Sequence, residues 1–360
     1  MKIDRYSFPT RQSVVKLCGI TACALSLAFY ISSGHAQNVE TPSVNTPVVK
    51  GATAAVADST QAQVNAQEQV NAQAQTKAQA QVNAQVLLHQ VMNQLANGPA
   101  FDAKVRQRVW TAGREVVGVG TYEQAGQGSG HYNLQMTMHD GDGKHTLQQI
   151  SDGRLAWTRS VIHEKISLRR VDVGRLNEWV RPTGHPQPSA SQSIPAKLKV
   201  GAWMEILDSI ERDYALELGA TTLKSLPVWV ITGKLRDESR KRILQDSGVK
   251  TWPELFPTHV KIAIAKTPDP ETLFGQGLPY RIEYWTDPIG RESTDGVVHL
   301  QGRLVSLIEI YSIRPIAPPP IERFRFENQD TSAIPINETD RYLRRHGIRL
   351  TQRQQKQRRR

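Results

Sequence analysis

The strictest alternation of apolar and polar residues runs from His131 to His139. Tyr132, Leu134, Met136 and Met138 share one parity, and His131, Asn133, Gln135, Thr137 and His139 share the other. Successive side chains of a strand point to opposite faces, so this run predicts a strand with one apolar and one polar face. Similar runs at 102–111, 115–124, 144–151, 154–160 and 164–172 flank it, divided by turn signals such as Asp140-Gly141-Asp142-Gly143 and Asp152-Gly153. Together they predict an antiparallel meander from Phe101 to Val173. Further strands are predicted at 213–222, 226–236, 258–266, 279–287, 303–313 and 321–328.

Helical spacing is confined to a few stretches. Leu87, Leu88, Val91, Met92 and Leu95 form one apolar face, ended by Asn97-Gly98-Pro99. Trp203, Ile206, Leu207 and Ile210 form a second within 200–211, and residues 237–247 read as a charged crossover helix. Val173–Val180 is short, and 181–195 is a Pro/Ser/Gln-rich loop. The order of helix, meander, helical insertion and meander predicts an α+β fold, predominantly antiparallel β, with a sheet of about 10–12 strands. Sheets of that size curl. A half-barrel with helices covering its concave face is the expected shape, and a closed barrel is the alternative.

The flanks are different in kind. Residues 1–36 read as an export signal. Lys2, Arg5, Arg11 and Lys16 precede an apolar run from Leu17 to Ile31, and Gly34-His35-Ala36 offers small residues at −3 and −1 of a cleavage site. An uncleaved signal anchor, tethering the protein to a membrane, is the alternative. Both cysteines, Cys18 and Cys23, fall inside this segment, so the mature chain would rely on its core without disulfides. Ile20-Thr21-Ala22-Cys23 resembles a lipobox, but only four residues separate Lys16 from Thr21, too few for an apolar lead-in. Residues 37–85 repeat Gln-Val-Asn-Ala-Gln and lack aromatics, which predicts a disordered linker. The globular domain is then 86–330, followed at 331–360 by a short helix and a basic tail.

Charge narrows the partners. The chain carries +11, but +3 belongs to residues 1–36 and +9 to residues 341–360, leaving −1 for residues 37–340. The folded part is therefore near neutral, which argues against a nucleic-acid surface. Arg353, Lys356, Arg358, Arg359 and Arg360 would form a cationic tail suited to an anionic envelope surface, each contributing about 1 kcal/mol at low salt. No nucleophile elbow, phosphate loop or dinucleotide fingerprint is present, and no cofactor is expected. His131, His139 and His145 with Asp140 and Asp142 could meet across a hairpin, but their spacing matches no established metal motif and reads as a solvated face.

Two segments resemble a known superfamily. Phe101-Asp102-Ala103-Lys104-Val105-Arg106-Gln107-Arg108-Val109 with Gly118-Val119-Gly120-Thr121-Tyr122 resembles the opening hairpin of LolA-like periplasmic lipoprotein carriers. Ser151-Asp152-Gly153-Arg154-Leu155-Ala156-Trp157 resembles their Asp-Gly-x-x-x-Trp hairpin. The resemblance implies an incomplete barrel whose cavity accepts acyl chains beneath a helical lid. The Arg-Pro element that the carriers hold after the second strand is replaced here by Gln124-Ala125-Gly126-Gln127-Gly128-Ser129-Gly130-His131.

The expected function is thus non-catalytic: an exported, monomeric protein that binds lipid or an acylated partner. Cavity candidates are Leu134, Met136, Met138, Trp157, Trp203, Ile206 and Leu207. The opposing expectation is that the 200–211 helix fills this face as core, making the protein an envelope-anchored interaction module. Trp110, Trp179, Trp229, Trp252 and Trp285 read as core or rim residues, and Trp252-Pro253-Glu254-Leu255-Phe256-Pro257 as a packed connection or an entrance flap.

Overall fold

The computed structural model describes residues 79–111, 114–141, 143–180, 199–223, 226–287, 289–292, 298–328, 330 and 333–348. The expected signal segment, most of the expected linker and the residues Arg353, Lys356, Arg358, Arg359 and Arg360 lie outside the described residues. Helix α1 spans 79–97 and starts before the linker's expected end. Ala84 and Leu88, one turn apart, are both fully buried, and the Gln/Ala run before them suits a helix.

The meander follows as β1 (Phe101–Thr111), β2 (Arg114–Gln124), β3 (His131–His139), β4 (Lys144–Asp152), β5 (Leu155–Ile162) and β6 (Lys165–Asp172). Then come α2 (Val173–Val180), α3 (Ala202–Asp213), β7 (Tyr214–Leu223), β8 (Leu226–Leu235), α4 (Asp237–Ser247), β9 (His259–Ala265) and β10 (Pro279–Trp285). A separate hairpin, β11 (Ile289–Glu292) with β12 (Val298–Gln301), precedes β13 (Leu304–Pro315), β14 (Ile336–Asn337) and α5 (Thr339–Arg345).

One 12-stranded sheet has the order β14-β6-β5-β4-β3-β2-β1-β13-β10-β9-β8-β7. It is open, with β14 and β7 at its edges, so the half-barrel describes it and the closed barrel does not. The order explains the lid. β6 and β7 are consecutive strands at nearly opposite edges, so the chain between them must cross the sheet. Its helix α3 lies over the concave face and buries Trp203, Ile206, Leu207 and Ile210 there. β1 joins the two meanders by pairing with both β2 and β13, and its register with β13 shifts between Asp102 and Lys104. Bulges of this kind increase local twist and help a wide sheet curl.

The strand predicted at 321–328 is not one. Ile321–Phe324 is a 3₁₀ turn, and the segment passes over the convex face. Pro318-Pro319-Pro320 has no N–H to give a sheet ladder. The segment is held instead by Phe324, buried with its ring 5.5 Å from His131, by Arg323 on Glu123 at 3.1 Å, and by Phe326 stacked on Trp157 at 4.8 Å. The polar face of β3 is therefore partly covered. The Trp252 loop packs through Trp252 Nε1 donating to Phe256 O, with the two rings at right angles.

Candidate functional site

Sheet register decides which residues face the lid. Met136 pairs with Gly120 on one side and Leu147 on the other, and Met138 pairs with Gly118 and His145. Alternate positions of β2 from Val116 to Gln124, of β3 from Tyr132 to Met138, and of β4 from His145 to Ser151 thus share the concave face. The two glycines make room for the methionines. A Cβ on Gly120 would sit 2.9 Å from Met136 Cγ and 2.0 Å from Gln135 O, and one on Gly118 would sit 3.0 Å from Met138 Cε.

Leu134, Met136, Met138, Trp203, Ile206 and Leu207 all belong to one buried cluster under α1 and α3. Trp157 does not. It pairs with Ile150 and Arg170, on the parity opposite Ala156, and stacks on Phe326 at the convex face. The β4–β5 register, Ser151 with Ala156 and Ile150 with Trp157, fixes that parity, which the tryptophan's size alone did not reveal. Trp157 is a clamp for the crossing segment, not a lining residue of the concave face.

The concave cluster also gathers Met92 from α1 and Met204 from α3. Four of the chain's five methionines therefore lie between sheet and lid. Methionine is unbranched and polarizable, and adapts to irregular apolar shapes. Tyr122 crosses Trp203 edge-on at 5.8 Å, and its hydroxyl donates to Gln124 Oε1 at 2.8 Å. Gln124 Nε2 in turn donates to Leu95 O at 2.6 Å, which ties the end of α1 to the sheet. Trp203 Nε1 is buried without a hydrogen-bond partner. Such a donor costs about 1–3 kcal/mol while unpaired. A cavity of about 30 Å³ bounded by Leu95, Tyr122, Tyr132, Gly201 and Met204 remains, room for roughly one water. The face is closed in this state.

The start of α3 is tightly built. Gly201 has φ +78°, and a Cβ there would meet Tyr132 Oη at 1.7 Å. Ala202 N donates to Gln149 Oε1 at 3.0 Å. Glu205, buried, accepts from Gly201 N at 2.9 Å, from Tyr342 Oη at 2.7 Å and from Arg345 of α5. Arg345 also reaches Asp208 at 3.1 Å and Ser209 Oγ at 2.7 Å, and Lys199 pairs with Asp208 at 3.1 Å. Arg345 adds to the positive charge of 341–360, yet its side chain is only 12% exposed and latches the lid. Burial alone would raise the Glu205 and Asp208 carboxyls, yet Arg345 and the other donors outweigh it and hold both below the ordinary range.

Depressed carboxylate pKa values contribute stability that is present above the unfolded values, about 4. It is lost as pH falls through the lower folded values. Urea midpoints measured from about pH 7 to pH 3 are expected to hold near neutrality and to drop below about pH 4. A profile that stays flat through that range would remove the latch from the stability balance.

The histidines and aspartates of the β3–β4 hairpin were expected to form a solvated face, which holds for the exposed His139 but not for the buried His145. His131 and His139 sit at opposite ends of β3, paired with Asp152 and Lys144. Asp142 lies outside the described residues. His145 is buried and meets Asp140 instead. Sequence reasoning missed Tyr122, Gln124, Gly118, Gly120, Met204, Glu205 and Arg345. The Gly118-x-Gly120 spacing beside Met136-x-Met138 was a usable signal for the first of these features, since both pairs share one parity. Among the described residues no helix is long and apolar enough to cross a membrane.

No family model matches the chain, and no curated protein matches it in sequence. Solved structures do align with it. The Pseudomonas aeruginosa MucA/MucB complex aligns at 13% identity and TM-score 0.33 over 68% of this chain and 61% of that one, so this chain spans about six tenths of its length. A putative outer membrane lipoprotein-sorting protein domain from Vibrio parahaemolyticus aligns at 9% identity and TM-score 0.29, over 66% of this chain and 95% of the other. A LolA superfamily protein from Nitrosomonas europaea aligns at 12% identity and TM-score 0.25, over 68% of this chain and 97% of the other.

Proposed function

We propose that this is an exported, non-catalytic binding protein that takes an acyl chain, of a lipid or of an acylated protein, between its concave face and the α1–α3 lid. The observation that carries the reading is the lining itself. Met92, Met136, Met138 and Met204 belong to the one buried cluster between sheet and lid, which also holds Trp203 with its unpartnered indole N–H. The methionines can repack around a chain, each buried methylene contributing about 0.8 kcal/mol, and the Trp203 N–H can donate to a carboxylate or ester oxygen. Entry requires α3 to lift from the sheet, and the Arg345 latch at its N-terminal half opposes that motion. In the second reading the face is permanent core and the protein is an envelope interaction module whose basic tail meets anionic surfaces. The closed state of the face favours that reading.

Native mass spectrometry of protein purified from an envelope fraction, with fluorescent fatty-acid titration, separates the two. The acyl-binding reading expects a co-purifying lipid or saturable uptake that weakens on Trp203→Phe. Absence of any lipid together with no uptake overturns it and leaves the interaction module, which liposome flotation of intact and tail-deleted protein then tests.

A further inference from the structure

We propose that Asp140, His145 and His163 form a binding site for a late first-row divalent cation, zinc above all. The site lies at the end of the sheet away from Gly201, where the β3–β4 and β5–β6 turns come together. Asp140 Oδ2 is 2.7 Å from His145 Nε2, both side chains being buried. The His163 ring crosses the His145 ring at 4.8 Å, and one ligand atom from each of the three residues lies within 4.8 Å of the others. His163 is exposed, so the trio is open to ions from solution.

The turn that carries His163 supplies an independent argument. Ile162 pairs with Lys165, so His163-Glu164 is a two-residue hairpin loop. Both residues have positive φ, +45° and +66°. Such turns favour Asn-Gly or Asp-Gly, and a His-Glu pair keeps that backbone at a steric cost. What the unfavourable choice provides is an imidazole beside His145, where Asn or Gly would provide none. The backbone N–H of His163 faces His145 Nδ1 at 3.4 Å, a contact that gives way when a metal takes His145 Nε2 and the ring proton moves to Nδ1.

The donor set selects the ion. Two imidazoles and one carboxylate suit zinc and its neighbours, whereas calcium and magnesium favour oxygen ligands alone. Three protein ligands leave a fourth tetrahedral position for solvent. Ligand atoms of a tetrahedral zinc stand about 3.3 Å apart, so binding spreads Asp140 and His145 slightly from 2.7 Å and draws His163 inward. The exposed His163 side chain can supply most of that movement. A bound ion would staple two hairpin ends of the meander.

The test is titration of the full chain with zinc chloride by calorimetry, and with cobalt(II) by its visible spectrum, for wild type, His163→Ala, Asp140→Asn and His139→Ala. His139 is exposed and outside the trio, and circular dichroism checks that each variant is folded. One equivalent of zinc is expected to bind wild type and His139→Ala alike and to raise their melting temperatures. His163→Ala and Asp140→Asn are expected to bind at least about tenfold more weakly and to lose the shift. No stoichiometric binding by wild type, equal binding by His163→Ala, or an equal loss in His139→Ala would each overturn the site.

Discussion

Arg345→Met is expected to lower the unfolding free energy by about 3–5 kcal/mol, because it leaves Glu205 and Asp208 buried without their main counter-charge. The substitution keeps an unbranched apolar stem and removes the guanidinium. Glu205 would retain Tyr342 and Gly201 as donors, which is too little to hold a charge out of water. It would then protonate, so the acid sensitivity of the wild type should move toward neutral pH in the variant. The double variant Glu205→Gln with Arg345→Met should recover part of the loss, since neither charge is then buried. Urea unfolding of the four proteins in this cycle reads the coupling directly. A loss below about 1 kcal/mol for Arg345→Met would mean that α5 does not hold the lid.

Trp203→Ala is expected to cost about 3–5 kcal/mol, the usual range for emptying a large aromatic site in a packed core. Trp203 touches Tyr122 and sits between α3 and the concave face, so collapse around the gap is limited by the sheet behind it. Trp203→Phe should cost far less, about 1 kcal/mol, because it removes an unpaired buried donor along with some ring area. The pair of variants therefore separates packing from polarity. If the indole N–H serves an acyl ligand's oxygen, Trp203→Phe keeps the fold and weakens uptake. If it serves nothing, stability and uptake move together. Chemical denaturation alongside fatty-acid titration distinguishes these outcomes, and a Trp203→Ala loss under 1 kcal/mol would contradict the packed lid.

Much of the sheet was legible because its signal is local. Period-two alternation in β3 and the Asp152-Gly153 turn need only neighbouring residues to be read. The same local logic misread 321–328: Phe324 and Phe326 alternate as a strand would, but three prolines before them remove ladder donors, and the aromatics pack on the convex face instead. Trp157 failed for a related reason. Its parity relative to Leu134 depends on the register across β4, which no single strand encodes. Arg345 looked like one more cation in a basic C-terminal segment, and only its position in α5 reveals the carboxylates it faces.

By itself, then, the sequence determined the antiparallel strands, the apolar face of β3 and the two helices able to cover it, because these follow from spacing along the chain. Tertiary structure decided the rest. It placed β6 and β7 far apart, which sends α3 over the concave face and fills it. It turned Trp157 to the convex side, brought Arg345 onto Glu205 and set His163 beside His145. Each of these joins residues distant in the chain or fixes a parity across strands. Burial and register settle such pairings only once the whole sheet has formed.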